Sequence, residues 1–246
     1  MESLGIAAPG QRSGSCEASI PAAFIPMSEE KTIQQIELLD TLPRVFADEA
    51  VPGSQVWRQS LRFERGRRYV IEAPSGTGKS SLCAYLYGAR RDYLGTIRFD
   101  GRDIRNIRPE EWQALRRTAL AYLPQELDLF PELTALQNIE LKNSLTGHAS
   151  RRQIEGWMRE LGIEGRADFP VGKMSIGQQQ RVAIIRCICQ PFSFLLIDEP
   201  VSHLDAANNA IAARIIADEA ARQGAAIIAT SVGNRIGIPF DTQLHL

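Results

Sequence analysis

Two short stretches of this sequence carry residues suited to phosphate chemistry. The first is Ala73-Pro74-Ser75-Gly76-Thr77-Gly78-Lys79-Ser80, followed by Ser81. It comes after an apolar run at 69–72 and opens a stretch of helical composition at 79–87, closed by Gly88. Strand, glycine-rich turn and helix start, in that order, are the context that the P-loop pattern requires. Gly76 and Gly78 let backbone N–H groups turn inward as an anion-binding nest, and the helix start adds the positive end of its dipole. Lys79 supplies a full charge for the β- and γ-phosphates, and Ser80 a hydroxyl for Mg²⁺. The first motif position is Ala73 where the pattern has Gly; it ends a strand, where Ala is sterically acceptable. The second stretch is Phe194-Leu195-Leu196-Ile197-Asp198-Glu199-Pro200, four apolar residues ending in two acids. A buried strand of this kind delivers its acids to the carboxyl edge of a sheet, where open α/β sheets bind ligands. Asp198 suits Mg²⁺ coordination through water, and Glu199 suits a general base for an attacking water. Together the stretches imply binding of a nucleoside triphosphate with Mg²⁺.

These residues need a sheet edge to stand on. Short β-like runs at 33–39, 56–63 and 69–72 are separated by loop chemistry at Pro43, Pro52-Gly53 and Glu64-Arg65-Gly66. Further strands are predicted at 96–99, 119–123, 194–197 and 225–229, helices at 79–87, 153–161 and 206–223, and a buried helix end at 182–189. Alternating strands and helices with continuous apolar strands indicate a parallel α/β core covered on both faces. The stretch 126–173 reads as a helical insertion, and residues 1–31, rich in Gly, Ser, Ala and Pro, as a disordered extension.

Composition narrows the classes. A length of 246 residues with a formal net charge of -1 suits one soluble domain with an insertion and argues against a general nucleic-acid binder. Of the four cysteines, Cys83, Cys187 and Cys189 lie in apolar stretches and read as small buried hydrophobes; with Cys16 they form no zinc-binding spacing. No run approaches the roughly 20 apolar residues that span a bilayer, and the N-terminus lacks a signal-peptide pattern, so the expected location is the cytosol.

Between the two phosphate-directed stretches lies Lys173-Met174-Ser175-Ile176-Gly177-Gln178-Gln179-Gln180-Arg181-Val182-Ala183-Ile184. It resembles the signature motif of ATP-binding cassette (ABC) ATPases, usually Leu-Ser-Gly-Gly-Gln, with Met174 for Leu and Ile176 for the first Gly. Tyr122-Leu123-Pro124-Gln125 resembles the family's Q-loop, with Gln125 as sensor and Mg²⁺ ligand, and Ser202-His203-Leu204-Asp205 its D-loop. Phe46 stands where the family often stacks an aromatic ring on adenine. The resemblance covers residues 32–246 and implies a P-loop cassette: a mostly parallel sheet core, an antiparallel β region and an inserted helical subdomain at about 126–173. It implies ATP and Mg²⁺ as ligands and a head-to-tail dimer with itself or a related cassette. In such a dimer Ser175, Gly177, Gln178 and Asp205 of one chain would close the nucleotide site of the other.

The segment Leu129-Phe130-Pro131-Glu132-Leu133-Thr134-Ala135-Leu136-Gln137-Asn138-Ile139 looks like the subgroup that includes lipoprotein-release and macrolide-export ATPases. The resemblance then implies an integral membrane permease as partner, with the chain peripheral on the cytoplasmic face of the membrane. Leu127, Leu129 and Phe130 are candidates for the permease groove. A non-transport cassette acting on a cell-division or assembly partner, and an ATP-binding switch with weak hydrolysis, are the alternatives; a nucleic-acid-directed cassette is not expected. One departure bears on turnover. After the strand at 225–229 the family has Thr-His-Asp, whereas this chain has Thr230-Ser231-Val232, so Ser231 occupies the position of the histidine that contacts the γ-phosphate.

Overall fold

The run that ends in Asp198 and Glu199 forms the buried middle of a sheet, as its unbroken apolar character requires. In the computed structural model, which describes residues 31–48, 51, 53–199, 204–233 and 235–246, two sheets carry the fold. The expected extension at 1–31 lies outside the described residues apart from Lys31. One sheet is antiparallel, in the order β2 (Ser60–Glu64), β1 (Gln35–Pro43), β4 (Tyr93–Phe99) and β5 (Arg102–Asp103). The other is parallel, in the order β6 (Leu120–Leu123), β7 (Phe194–Asp198), β8 (Ala226–Ser231), β3 (Arg68–Glu72) and β9 (Thr242–His245). Register sets Asp198 opposite Thr230 and Glu72 opposite Ser231, so three neighbouring strands end at one edge.

Among the described residues six α-helices cover these sheets: α1 (Lys79–Leu86), α2 (Pro109–Thr118), α3 (Ala135–Asn143), α4 (Arg151–Glu160), α5 (Ile176–Ile188) and α6 (Ala206–Arg222). The two-residue period of β7 divides the interior. Leu195 and Ile197 join a core with α3 to α6, while Phe194 and Leu196 join one with α1, α2 and the antiparallel sheet. Cys83, Cys187 and Cys189 are buried free thiols, as read from the sequence. Burial pushes Cys187 and Cys189 up to about 12.

The structure differs from the sequence expectation at several elements: β4 begins at Tyr93 rather than 96, and β5 and α3 were not expected individually. The strand expected at 56–63 begins only at Ser60, because the Ser54 hydroxyl accepts the N–H groups of Val56 at 3.2 Å and Trp57 at 2.8 Å and closes a turn there. Helix α2 went unread although Pro109 opens it, acids fill its first turn and arginines its last, the usual end signals. Strand β9 also went unread, since four residues at a sheet edge give almost no periodic signal.

A polar cluster ties the α3–α4 connection to the end of α6. Glu219 is 5 % exposed, with His148 Nε2 at 3.1 Å, Arg222 Nε donating at 2.9 Å and Gln223 Nε2 at 2.6 Å. Burial by itself would raise the Glu219 carboxyl, but the hydrogen bonds with His148, Arg222 and Gln223 outweigh it and bring it to about 2. The folded chain therefore keeps Glu219 ionised where the unfolded chain takes up a proton, and this stability is lost as pH falls from about 4.5 to about 2. Glu219→Gln is expected to cost roughly 2 kcal/mol at pH 7, with the gap to wild type closing over that acid window in denaturant titrations. A gap that stays constant from pH 7 to pH 3 would show that the carboxylate charge is not what holds the cluster.

Candidate functional site

Strand β3 runs directly into the glycine-rich loop, and the Ala73 N–H extends its pairing to β8 by donating to Ser231 O at 3.1 Å. Gly76 and Gly78 have φ of 86° and 96°, in the left-handed region where a side chain is strained. Gly78 is the residue before α1, so the turn delivers the backbone to a helix start with no side-chain cap. Lys79 is 4 % exposed, and its Nζ donates to Ala73 O at 3.0 Å and Pro74 O at 2.8 Å. The Thr77 hydroxyl also donates to Pro74 O, at 2.8 Å. Pro74, Ser75 and Gly76 are exposed, and a Cβ placed on Gly76 would meet nothing within 4 Å, so the loop is open on its outer side. A buried cation, two left-handed glycines and an uncapped helix start in one turn fit a polyphosphate. Ser80 is exposed in the first turn of α1, while the Ser81 hydroxyl accepts from Arg90 Nη1 at 3.0 Å.

The acids sit beside this loop. Glu199 Oε1 lies 3.4 Å from Lys79 Nζ, and Glu199 has φ of 49°, a left-handed turn that begins where β7 ends. Asp198 is 2 % exposed, and the Thr230 hydroxyl donates to its Oδ1 at 2.6 Å. Asp198 also lies close to α1, since burial and then the Asp198 carboxylate push the Cys83 thiol up. Thr230 was not singled out from the sequence; its signal is a hydroxyl residue in register with Asp198 on the neighbouring parallel strand. Ser231 is buried at the end of β8, and its Oγ accepts the Gly233 N–H at 3.0 Å. His245 cannot serve in its place: it is exposed on β9, on the opposite side of β3 from β8. His203 and Ser202, the first half of the expected D-loop, lie outside the described residues. Gln125 is exposed two residues past β6, at the same sheet edge.

Phe46 is half-buried, and its Cε2 lies 3.2 Å from where a Gly78 Cβ would stand; Trp57 Cζ2 is at 3.1 Å and Pro43 Cγ at 3.3 Å. The aromatic residue expected near adenine is therefore brought to the underside of the phosphate loop. Trp57, which gave no signal in the sequence, donates its indole N–H to Thr77 O at 3.0 Å.

The signature residues are not brought to this loop. Ser175 caps α5, its Oγ accepting the Gln178 N–H at 3.4 Å while Gln178 Oε1 accepts the Ser175 N–H at 3.0 Å. Gly177 O accepts from Arg181 Nε at 3.0 Å. Asp205 caps α6 by accepting the Asn208 N–H at 2.8 Å, and this bond, with that to the Asn208 side chain, holds its carboxyl below the usual range. Of the three groove candidates, Phe130 is 46 % exposed, Leu129 is half-buried and Leu127 is buried. Asn138, fully buried, orders that segment: its Nδ2 donates to the Phe130, Leu133 and Thr134 carbonyls and its Oδ1 accepts the Phe130 N–H at 2.9 Å. A cavity of about 110 Å³ lies alongside, lined by Tyr87, Tyr122, Leu127, Lys142 and Arg186 among others.

The floor under Gly78 makes the two loop glycines unequal. Gly78→Ala meets both backbone strain and the Trp57 and Phe46 rings, whereas Gly76→Ala meets strain alone. Each is expected to lower stability by about 1–3 kcal/mol, with Gly78→Ala the worse in thermal or urea unfolding. Equal losses would show that the aromatic floor yields freely.

Residues 57–202 match the model of the ABC transporter family. An uncharacterized ABC transporter ATP-binding protein of Mycobacterium tuberculosis (strain ATCC 25618 / H37Rv) is 33% identical over 174 residues, 70% of this chain and 53% of that protein. The macrolide export ATP-binding/permease protein MacB of Salmonella typhimurium is 35% identical over 150 residues, 59% of this chain and 23% of that protein. This chain thus spans about half the length of the first relative and less of the second. Among solved structures, the dimeric bacterial ABC transporter cassette MJ0796 superposes with a TM-score of 0.68 at 23% identity, covering 80% of this chain and 88% of that one. A bacterial Atm1-family ABC exporter with ATP bound gives 0.66 at 23% identity, covering 84% of this chain and 36% of that one. These likenesses show the fold, a parallel sheet with an antiparallel sheet beside it. With the family match, they establish that the chain belongs to the ABC transporter family as an ATP-binding cassette.

Proposed function

We propose that this chain is the ATP-binding and hydrolysing subunit of an ABC transporter, in which closure of a cassette pair drives a membrane permease. The observation that carries the reading is the meeting of Lys79 and Glu199, 3.4 Å apart, at the edge where β3 and β7 end. In the chain as it stands the ammonium is satisfied by the Ala73 and Pro74 carbonyls and by Glu199. A polyphosphate in the nest offers Lys79 stronger, charged acceptors. Releasing Glu199 frees its carboxylate to take a proton from an attacking water, the general-base role. Asp198, oriented by Thr230, and the exposed Ser80 hydroxyl supply hard oxygen donors that fit Mg²⁺, with Gln125 as a third. Bound there, Mg²⁺ would neutralise charge on the β- and γ-phosphate oxygens.

The pairing is head to tail, with itself or a related cassette. Ser175, Gly177 and Gln178 sit at the start of α5 without a bond to their own phosphate loop among the described residues, which suits service to a second chain's site. Asp205, the last residue of the D-loop stretch, would lie at the same contact. Phe46 stacks on adenine from its place against the loop. The segment 126–173 acts as the helical subdomain, and exposed Phe130 with the neighbouring cavity is the surface offered to the permease. Attachment at the cytoplasmic face of the membrane runs through that partner; among the described residues no helix is long and apolar enough to cross a membrane.

A second reading, a nucleotide-driven switch with weak hydrolysis, is favoured by Ser231. A serine side chain is shorter than an imidazole and carries one neutral O–H donor, so from the end of β8 it reaches less far toward a γ-phosphate than the histidine would. Two outcomes test the pair of readings. Glu199→Gln is expected to keep ATP binding and lose turnover by at least about 100-fold, the scale of a lost general base; undiminished turnover would remove Glu199 from catalysis. Ser231→His is expected to raise steady-state turnover severalfold. A variant no faster than wild type would show that Ser231 is not limiting.

A further inference from the structure

The loop that meets the phosphates is held from below by a residue outside the P-loop pattern. Trp57 is 2 % exposed, and its indole N–H donates to the Thr77 carbonyl at 3.0 Å. A trans peptide is planar, so its C=O and N–H point in opposite directions. With the Thr77 oxygen drawn down to Trp57, the Gly78 N–H faces the other way, toward the open side of the loop. We propose that Trp57 is a positioning residue: it locks the Thr77–Gly78 peptide in the orientation that presents the Gly78 N–H to a bound polyphosphate. This rests on the reading of the loop as a nucleotide site.

Three observations support the assignment. The position of Trp57 is set independently of the loop, since its own N–H is accepted by the Ser54 hydroxyl at 2.8 Å and the next residue, Arg58, donates its N–H to Thr41 O at 3.0 Å. The peptide it grips is one that turns over easily, because Gly78 at φ 96° has no Cβ to resist either orientation. The ring also packs under Gly78 at 3.1 Å from the Cβ position, beside Phe46, so the floor of the phosphate loop is continuous with the residue proposed to stack on adenine. Without the indole bond part of the population carries the peptide flipped, and apparent affinity falls by the fraction that remains competent.

The test uses the full chain and Trp57→Phe, which keeps a ring in the floor and removes the donor. Displacement of a fluorescent ATP analogue by ADP, pyrophosphate and adenosine, with Mg²⁺ present, reads affinity apart from turnover. ADP and pyrophosphate are expected to bind about 3- to 10-fold more weakly, the range of one neutral hydrogen bond, while adenosine changes less than about twofold. A packing role alone would not split the ligands this way. Unchanged ADP affinity overturns the proposal, as does an ADP loss with pyrophosphate unaffected, which would make Trp57 a support for the base. If Trp57→Phe fails to fold, benzothienylalanine placed at position 57, which has the indole shape without the N–H, answers the same question. Wild type that binds no ATP would defeat the nucleotide-site reading and this proposal together; wild type that binds ATP no better than Trp57→Phe defeats only this one.

Discussion

A lysine ammonium at 4 % exposure is the constraint around which the site is arranged. A buried charge is tolerated only when it is surrounded by acceptors. Lys79 finds two in the backbone at Ala73 and Pro74, which requires the loop to fold back over its own helix start, and a third in Glu199, which requires the end of β7 to lie beside that loop. The left-handed turns at Gly76, Gly78 and Glu199 are the local conformations that make both approaches possible. Glu199 holds its left-handed backbone where β7 ends, and the sheet on either side of that strand overdetermines it.

That approach is in turn a property of parallel pairing. In the order β7-β8-β3 all three strands end at one edge, so strand register sets the acids, the Thr230–Ser231 pair and the start of the phosphate loop side by side, and the Thr230–Asp198 and Lys79–Glu199 contacts form across that edge. The alternation along β7 then splits the interior into two cores of different make-up. The core that supports α1 also contains Trp57, Tyr69 and Phe63 and fixes the phosphate loop from beneath. The other supports α3 to α6, and with them the signature residues and the segment after the Q-loop. The cluster around Glu219 bonds the α3–α4 connection to the last turn of α6.

The helix starts at Ser175 and Asp205 show how one residue type serves structure first. Both side chains are spent on capping their own helices, with Gln178 closing the reciprocal bond at Ser175. Their presence is explained by helix energetics alone. Ser175 is followed by the exposed Ile176 and a glycine, so this helix start faces outward.

Much of the frame, and the residues proposed for the site, could be read without the fold. The phosphate loop, the acids of β7, the run of parallel strands and the burial of Cys83, Cys187 and Cys189 were all legible, because each depends on local spacing or on composition within a few residues. The resemblance of the signature and Q-loop stretches added the family, which the match over 57–202 bears out. The residues that brace the candidate site from a distance became visible only with the fold. Thr230 on Asp198, Trp57 under Thr77, Phe46 beneath Gly78 and the pairing of Lys79 with Glu199 join positions 20 to 120 residues apart. Such contacts leave no period in the chain. Strand order and register create them, and a Trp in a turn or a Thr at a strand end looks the same in sequence whether or not a functional group stands across from it.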